Sequence, residues 1–281
     1  MTGVNGPVED LTGRRLVVVT GASSGIGLAA AVHLACRGDQ VVLVGRDPAR
    51  LQAAAERVRE TSGERPELFR ADFAVLDDVR RLAEGLRAAY DRIDVLVNNA
   101  GAIALQPLTT VDGFELSIQA NHLAPFLLTN LLADRVGRIV VTGSGAHRFG
   151  TLDPDDLNAA LRRYRPLGAY GTSKQANILF TAEAARRWPG IPAHSFHPGV
   201  VRTRFGNDSR VVAFGMRVLP FRSPEKAAET LVWLANQDPA RLVGGGYYYN
   251  RRLRRPYRKA ADPRLAARLW SASAAAVGID G

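Results

Sequence analysis

Tyr170 and Lys174 stand one helical turn apart in Ala169-Tyr170-Gly171-Thr172-Ser173-Lys174, within a stretch from about Ala169 to Trp188 that reads as a single helix. That spacing places both side chains on one face. A phenol with its ordinary pKa of about 10 exchanges protons poorly near neutrality, and a neighbouring ammonium favours the phenolate and lowers that value. The pair therefore has the parts of an acid/base device. The spacing alone is weak evidence, because many helices carry it with nothing more than a core tyrosine beside a solvated lysine.

The elements that would have to position this pair begin near the N-terminus. Leu16-Val17-Val18-Val19-Thr20 is an apolar run of strand length, and Gly21-Ala22-Ser23-Ser24-Gly25-Ile26-Gly27 follows it directly before a helix carrying Ile26, Ala29, Ala30, His33 and Leu34. Glycines are required where a strand turns tightly into a helix and where backbone approaches a pyrophosphate. The helix N-terminus supplies free N–H groups and the positive end of a dipole. The spacing is Gly-x-x-x-Gly-x-Gly, which differs from the Gly-x-Gly-x-x-Gly fingerprint of other dinucleotide folds. In this strand-to-helix context, Gly21, Ser23, Ser24, Gly25, Ile26 and Gly27 are candidate nucleotide-binding residues.

Further along, strands and helices alternate. Strands are expected at Leu16–Thr20, Val41–Gly45, Glu67–Arg70, Val95–Asn98, Arg138–Gly143, Ala193–His197 and Gly246–Tyr249, with helices at Gly25–Arg37, Pro48–Thr61, Leu76–Tyr90, Asp112–Ala133, Tyr170–Trp188 and Pro224–Gln237. Asp47 before Pro48 and Ser223 before Pro224 are N-cap and first-turn signals. Near-continuous apolar strands suit a parallel sheet covered on both faces. The expected architecture is α/β: a Rossmann-type doubly wound parallel sheet of about seven strands with helices on both faces. It forms a single domain over 14–281 after a flexible segment at 1–13. Two irregular segments, 148–167 and 202–222, have the length of functional loops.

The chain resembles the short-chain dehydrogenase/reductase family. The Thr20-to-Gly27 motif, Asn98-Asn99-Ala100-Gly101, Asn121, Ser144, Tyr170 and Lys174 stand in the family's order and context, and the likeness runs from about Arg14 to Ile279. Asn121 to Leu132, Ser173 to Thr181, His197-Pro198-Gly199-Val200-Val201-Arg202-Thr203 and Arg268-Leu269-Trp270 are similar to the retinol dehydrogenase-like branch. The resemblance implies an oxidoreductase that moves a hydride between a nicotinamide and a carbonyl or alcohol carbon. Tyr170 would be the general acid in reduction and general base in oxidation, and Ser144 would hydrogen-bond the reacting oxygen. Lys174 would lower the pKa of Tyr170 and bind the nicotinamide ribose. Asn121 would hold a water that relays protons, against the plainer reading of a polar side chain bonding to backbone. Asp72, next to Phe73, would accept from the adenine amine. Asn98, Ala100 and Gly101 would pass close to the adenosine ribose, and Pro198, Gly199, Val201 and Thr203 would lie beside the nicotinamide. His147 and His197 read as structural residues.

The end of the second strand bears on cofactor choice. An NAD-preferring enzyme usually places an acid there for the ribose hydroxyls, whereas this chain has Val44-Gly45-Arg46-Asp47. Arg46 offers a forked, permanent charge to a 2′-phosphate, so NADP(H) is the preferred reading. NAD(H) stays open because Asp47 can stand in for the absent acid, although its place before Pro48 marks it as a helix cap.

With 281 residues, 46% hydrophobic and 23% charged, the chain can bury a core of ordinary enzyme size. No run reaches the roughly 18 apolar residues of a membrane helix, and Met1 to Asp10 carries no signal-peptide segment, so a cytoplasmic location is expected. The single cysteine, Cys36, excludes a disulfide framework and reads as a small buried helix residue. No Cys/His spacing suggests a metal. The net charge of +10 and the cluster Arg251, Arg252, Arg254, Arg255, Arg258 and Lys259 invite a nucleic-acid reading, but no recognition motif accompanies them and none is expected to bind specifically. Phe205, Val211, Val212, Phe214, Met216, Val218, Leu219 and Phe221 suit a lid over an apolar small-molecule substrate, with Arg204, Arg210 and Arg217 interspersed. The alternatives are non-redox chemistry on the same fold, such as cyclisation or dehydration, and a nucleotide sensor without turnover. The helices Asp112–Ala133 and Tyr170–Trp188 resemble those through which family members form homodimers.

Overall fold

β1 (Leu16–Thr20) is buried along its whole length, as a run of Leu and Val covered on both faces must be. The computed structural model describes residues 13–201 and 221–280. Thr203 and the apolar segment 205–219 lie outside them. β1 pairs in parallel with β2 (Gln40–Gly45) and β4 (Val95–Asn98), and β2 pairs with β3 (Glu67–Arg70). On the other flank come β5 (Ile139–Thr142), β6 (Ala193–His197) and β7 (Tyr247–Tyr249), all parallel. The sheet order is β3-β2-β1-β4-β5-β6-β7-β8. Strand order reverses at β1, which opens a crevice at the carboxyl ends of β1 and β4.

The sheet has eight strands where about seven were expected. The addition is β8 (Arg252–Arg254), antiparallel to β7 across a two-residue turn in which Asn250 and Arg251 have φ of 53° and 59°. Such a turn matches the twist of a hairpin. It is hidden in the sequence because its second residue is an arginine where glycine is usual.

α1 (Gly25–Ala35), α2 (Pro48–Ser62) and α3 (Leu76–Ala89) connect the first four strands. The Asp47 carboxylate accepts from Arg50 N, and Gly63 closes α2 at φ 83°. Cys36 is exposed just past the end of α1, which corrects its reading as a buried residue. The helix expected over 112–133 is broken. Gly113 has φ 86°, the Glu115 side chain caps α4 (Leu116–Ile118), and a π turn over Gln119–Leu123 precedes α5 (Ala124–Leu131).

The irregular segment at 148–167 contains the short α6 (Ala159–Arg162) and the start of α7 (Pro166–Arg187), which opens a turn earlier than expected. α8 (Pro224–Asn236) lies against α1. α9 (Pro263–Val277), absent from the sequence-based expectation, packs on α7 and α5 through Trp270, whose ring is 5.0 Å from Phe126, 5.8 Å from Phe180 and 5.0 Å from Trp188. The Ser273 hydroxyl on α9 bonds the buried His122 ring at 2.8 Å. Residues 171–181 of α7 are all buried within the one chain, so its central turns present no free face to a second copy. Among the described residues no helix is long and apolar enough to cross a membrane.

Candidate active site

The turn after β1 depends on missing side chains. Gly21 has φ +64°, and a Cβ there would fall 2.8 Å from Ala100 Cα; one on Gly27 would fall 2.3 Å from the Gly21 carbonyl oxygen. Only glycine permits this approach. Ser24 precedes α1 in extended backbone and makes no side-chain cap, which leaves the first N–H groups of α1 open to an anion. The Ile26 side chain is buried in the core behind the turn, so that residue meets a ligand only through its backbone.

Thr20 and Asn99 lash the strand ends together. Thr20 Oγ1 donates to the Val97 carbonyl and accepts from the N–H groups of Asn99 and Ala100, each at 3.0 Å. Asn99 Nδ2 donates to the Thr20 carbonyl at 3.0 Å, and its Oδ1 accepts from Thr142 Oγ1 at 3.1 Å. β1, β4 and β5 are thereby held in register where the crevice opens. Asn98, the neighbour singled out from the sequence, turns its buried side chain away to donate to Thr129 Oγ1 on α5 at 2.8 Å. Strand alternation is the signal that distinguishes the two asparagines.

At the crevice's far end, Arg46 lies 3.6 Å from Asp72 and is 70% exposed. Asp72 Oδ1 also accepts from Ala74 N at 3.0 Å. Phe73 is buried in the core under α3, so its side chain is unavailable to a nucleotide. A Cβ on Gly45 would meet Leu51 at 3.1 Å and Ser23 at 3.3 Å, so a carboxylate would enter this place only by displacing neighbours.

Ser144, Tyr170 and Lys174 come together at the end of β5. Ser144 caps a short helical turn, its Oγ accepting from Ala146 N at 3.1 Å, and its hydroxyl bears on the Tyr170 phenol. Burial pushes the Tyr170 phenol above its ordinary range, and the neighbouring Ser144 hydroxyl offsets this only in part. The expected lowering by Lys174 is therefore not the dominant influence on the phenol in this arrangement. The Lys174 Nζ lies 5.6 Å from the Tyr170 ring centroid and donates to the Thr142 carbonyl at 3.0 Å. Burial brings that ammonium down to about 8.

Asn121 sits in the π turn, a helical irregularity common at functional sites. Its Oδ1 accepts from Ala102 N at 2.6 Å, and its Nδ2 donates to the Ala102 carbonyl and to Ser173 Oγ at 2.9 and 2.8 Å. These contacts match the plainer of its two readings, a side chain that pins backbone. Gly101 fits between Asn121 and Lys174: a Cβ there would lie 2.9 Å from Asn121 Oδ1 and 3.6 Å from Lys174 Nζ.

One residue that sequence reasoning passed over as a candidate serves the same point, beside a histidine read there as structural. Asn177, one turn beyond Lys174, donates to the same Thr142 carbonyl at 3.2 Å. His147 Nε2 accepts from Tyr257 N at 3.0 Å, which places its proton on Nδ1 and makes that nitrogen the donor to the Ser144 carbonyl at 2.7 Å. His197 Nδ1 accepts from the N–H groups of Gly145 and Gly199 at 3.2 and 3.3 Å, and burial holds the ring at about 4. Both imidazoles are structural. Gly199 has φ +91° against the Arg222 side chain, Pro198 is buried, and Val201 bridges to Arg222 across the same turn. Thr203 lies beyond the described residues.

Against proteins of known family, a model described as short chain dehydrogenase matches residues 15–211. The chain belongs to the short-chain dehydrogenase family. Within it, this short-chain dehydrogenase is 53% identical over 267 residues to a Streptomyces sp. (strain C5) protein designated DnrU, a candidate daunorubicin C-13 ketoreductase, covering 94% of the chain and 93% of that protein. It is 37% identical over 296 residues to human retinol dehydrogenase 13, covering 100% of the chain and 89% of the relative, which places it in the retinol dehydrogenase-like branch. A solved short-chain dehydrogenase from Sphingobium yanoikuyae in complex with NADPH superposes with a TM-score of 0.62 at 28% identity, over 78% of this chain and 82% of that one. The chain is thus an oxidoreductase of the short-chain dehydrogenase type.

Proposed function

We propose that this short-chain dehydrogenase is an NADP(H)-dependent ketoreductase that converts a ketone or aldehyde on an apolar small molecule to the alcohol, with Tyr170 as the proton donor. The observation that carries the reading is the cluster at the end of β5, where the Lys174 Nζ lies 5.6 Å from the Tyr170 ring centroid and donates to the Thr142 carbonyl at 3.0 Å, beside Ser144. A phenol at or above its ordinary range is protonated near neutrality, the form that reduction consumes.

The residues fit a dinucleotide. Gly21 to Gly27 and the open N-terminus of α1 would hold the pyrophosphate, Asp72 the adenine, Arg46 the ribose 2′-phosphate and Lys174 the nicotinamide ribose. Gly45 supports the phosphorylated cofactor, since no acid stands there to repel a phosphate, and the NADPH complex of the Sphingobium relative is consistent with that choice. When bound, the nicotinamide supplies the hydride for the carbonyl carbon. Ser144 and Tyr170 hold the carbonyl oxygen between two hydroxyls, and as negative charge grows on that oxygen Tyr170 releases its proton to it. Lys174 stabilises the developing phenolate by charge, and the Thr142 carbonyl, which also accepts from Asn177, keeps Lys174 in place. The relative's designation favours a ketone on a large apolar molecule such as daunorubicin.

The test is to follow NADPH absorbance with apolar ketones, daunorubicin among them, for wild-type protein and Tyr170→Phe. Turnover that falls by about 10²–10⁴-fold in the variant, with NADPH affinity retained, is expected. Turnover indifferent to Tyr170→Phe, or NADPH bound without consumption across the panel, refutes the reading.

A further inference from the structure

Arg70 ends β3 and lies beside Gly45 in the β2–β3 register. Its Nε donates to the Arg46 carbonyl at 3.3 Å, so the side chain crosses from β3 to the turn that leads into α2. Arg46 leans the opposite way and lies 3.6 Å from Asp72. Arg46, Arg50, Arg70 and Arg81 thus face three carboxylates at these strand ends: Asp72 beside Arg46, Asp47 acted on by Arg46 and Arg50, and Asp78 acted on by Arg70 and Arg81. Arg70 is exposed and makes no ion pair among the described residues. Four positive charges against three negative ones leave a surplus of positive potential, which an added anion relieves.

We infer that Arg70 is a second specificity-determining residue, forming with Arg46 a two-point clamp for the phosphate on an adenosine ribose. The inference rests on the NADP(H) reading above and adds a residue from a different strand to it. A clamp built across β2 and β3 differs from a single arginine in two respects. Planar guanidiniums approach a phosphate from two directions and bind it with several charge-assisted hydrogen bonds. Arg70 also braces the backbone from which Arg46 projects, so its loss leaves Arg46 less well aimed. Gly45 is part of the same design, because a side chain there would crowd Ser23 and Leu51 at the mouth of the clamp.

Adenosine 2′,5′-bisphosphate and 5′-AMP differ only in the ribose phosphate and need no turnover to be read. Both are titrated calorimetrically, and NADPH and NADH by fluorescence, into wild-type protein, Arg70→Gln, Arg70→Lys and Arg46→Gln. Arg70→Gln keeps a donor for the Arg46 carbonyl but removes the charge. It is expected to weaken the bisphosphate and NADPH by roughly tenfold while 5′-AMP and NADH bind as before. Arg70→Lys should recover part of the loss, as a point charge without the fork. Equal weakening of phosphorylated and unphosphorylated ligands would make Arg70 merely structural, and no weakening at all would remove it from the site. If the NADPH preference survives Arg70→Gln and disappears in Arg46→Gln, the clamp is wrong and the cofactor reading stands. A wild-type protein that binds NADPH no better than NADH overturns both.

Discussion

The two ends of the crevice handle charge in opposite ways. At the β2 and β3 end, Arg46, Asp72 and Arg70 lie at the surface, where water and salt screen every interaction and the guanidinium charge is permanent. At the β5 end, Lys174 is buried to 3% exposure, Ser144 and Tyr170 are half-buried, and the proton affinities of Tyr170 and Lys174 are set by what surrounds them. The described imidazoles with depressed pKa values follow the same division. His122, His147, His194 and His197 all lie from the π turn onward, in the half that carries the chemistry. One half of the sheet carries fixed charge at its open end and the other adjustable charge.

The largest effect expected from this contrast lies at Ser144. Replacing it with Ala removes one of the two donors to the carbonyl oxygen and should lower kcat by about 10²–10³-fold, while nucleotide affinity at the distant end is unmoved. Comparable losses in both quantities would show that the two ends are coupled.

Acid should strike the second half next. Burial and the Arg138 charge hold His194 at about 4, against 6.5 for a free imidazole. Because the folded value is depressed, the unfolded chain binds the extra proton first. Stability is therefore intact above pH 6.5 and falls as the pH drops toward 4, by about 3 kcal/mol from this residue alone. Denaturant unfolding across that range measures it, and His194→Gln should flatten the slope. An unchanged slope in that variant would remove His194 as the source.

A smaller effect separates the halves by pH in the opposite direction. Lys174 loses its proton at about 8, so above that pH the developing phenolate loses its supporting charge. Reduction at saturating cofactor should fall by about tenfold per pH unit beyond 8. NADPH discrimination by the arginines should persist there, since guanidinium groups stay charged. A reduction rate level from pH 7 to 10 would break the contrast.

Much of this was legible from residues alone, for physical reasons that also mark where legibility stopped. The parallel strands declare themselves because both faces are covered, which demands unbroken runs such as Leu16 to Thr20 and Val95 to Val97. The glycine turn declares itself because Gly21 and Gly27 admit no side chain. Tyr170, Lys174 and Ser144 could be paired by helical spacing and strand-end context, and the structure brings them together. The break in the 112–133 helix was not legible: Asp112 and Glu115 spend their carboxylates on Leu76 N and Ile118 N, long-range and local contacts that periodicity does not encode. β8 was concealed by an Arg-Leu-Arg strand whose stability comes from its turn and from β7. α9 did carry signals in Asp262, which accepts from Arg264 N and Leu265 N, and in the left-handed Gly278, but its alanine-rich face blurs the apolar stripe.

α9 has a consequence for how the chain is made. Phe180 on α7, Trp188 at its end and Phe126 beside it are covered by Trp270, which is synthesised some eighty residues after Trp188. During translation the rear of the catalytic helix therefore stands bare while everything it will position is already outside the ribosome. Domain completion is vectorial, with the last helix acting as the closing plate. Nascent chains halted before it would expose an aromatic surface that chaperones recognise, so holdase capture would concentrate at that stage of synthesis.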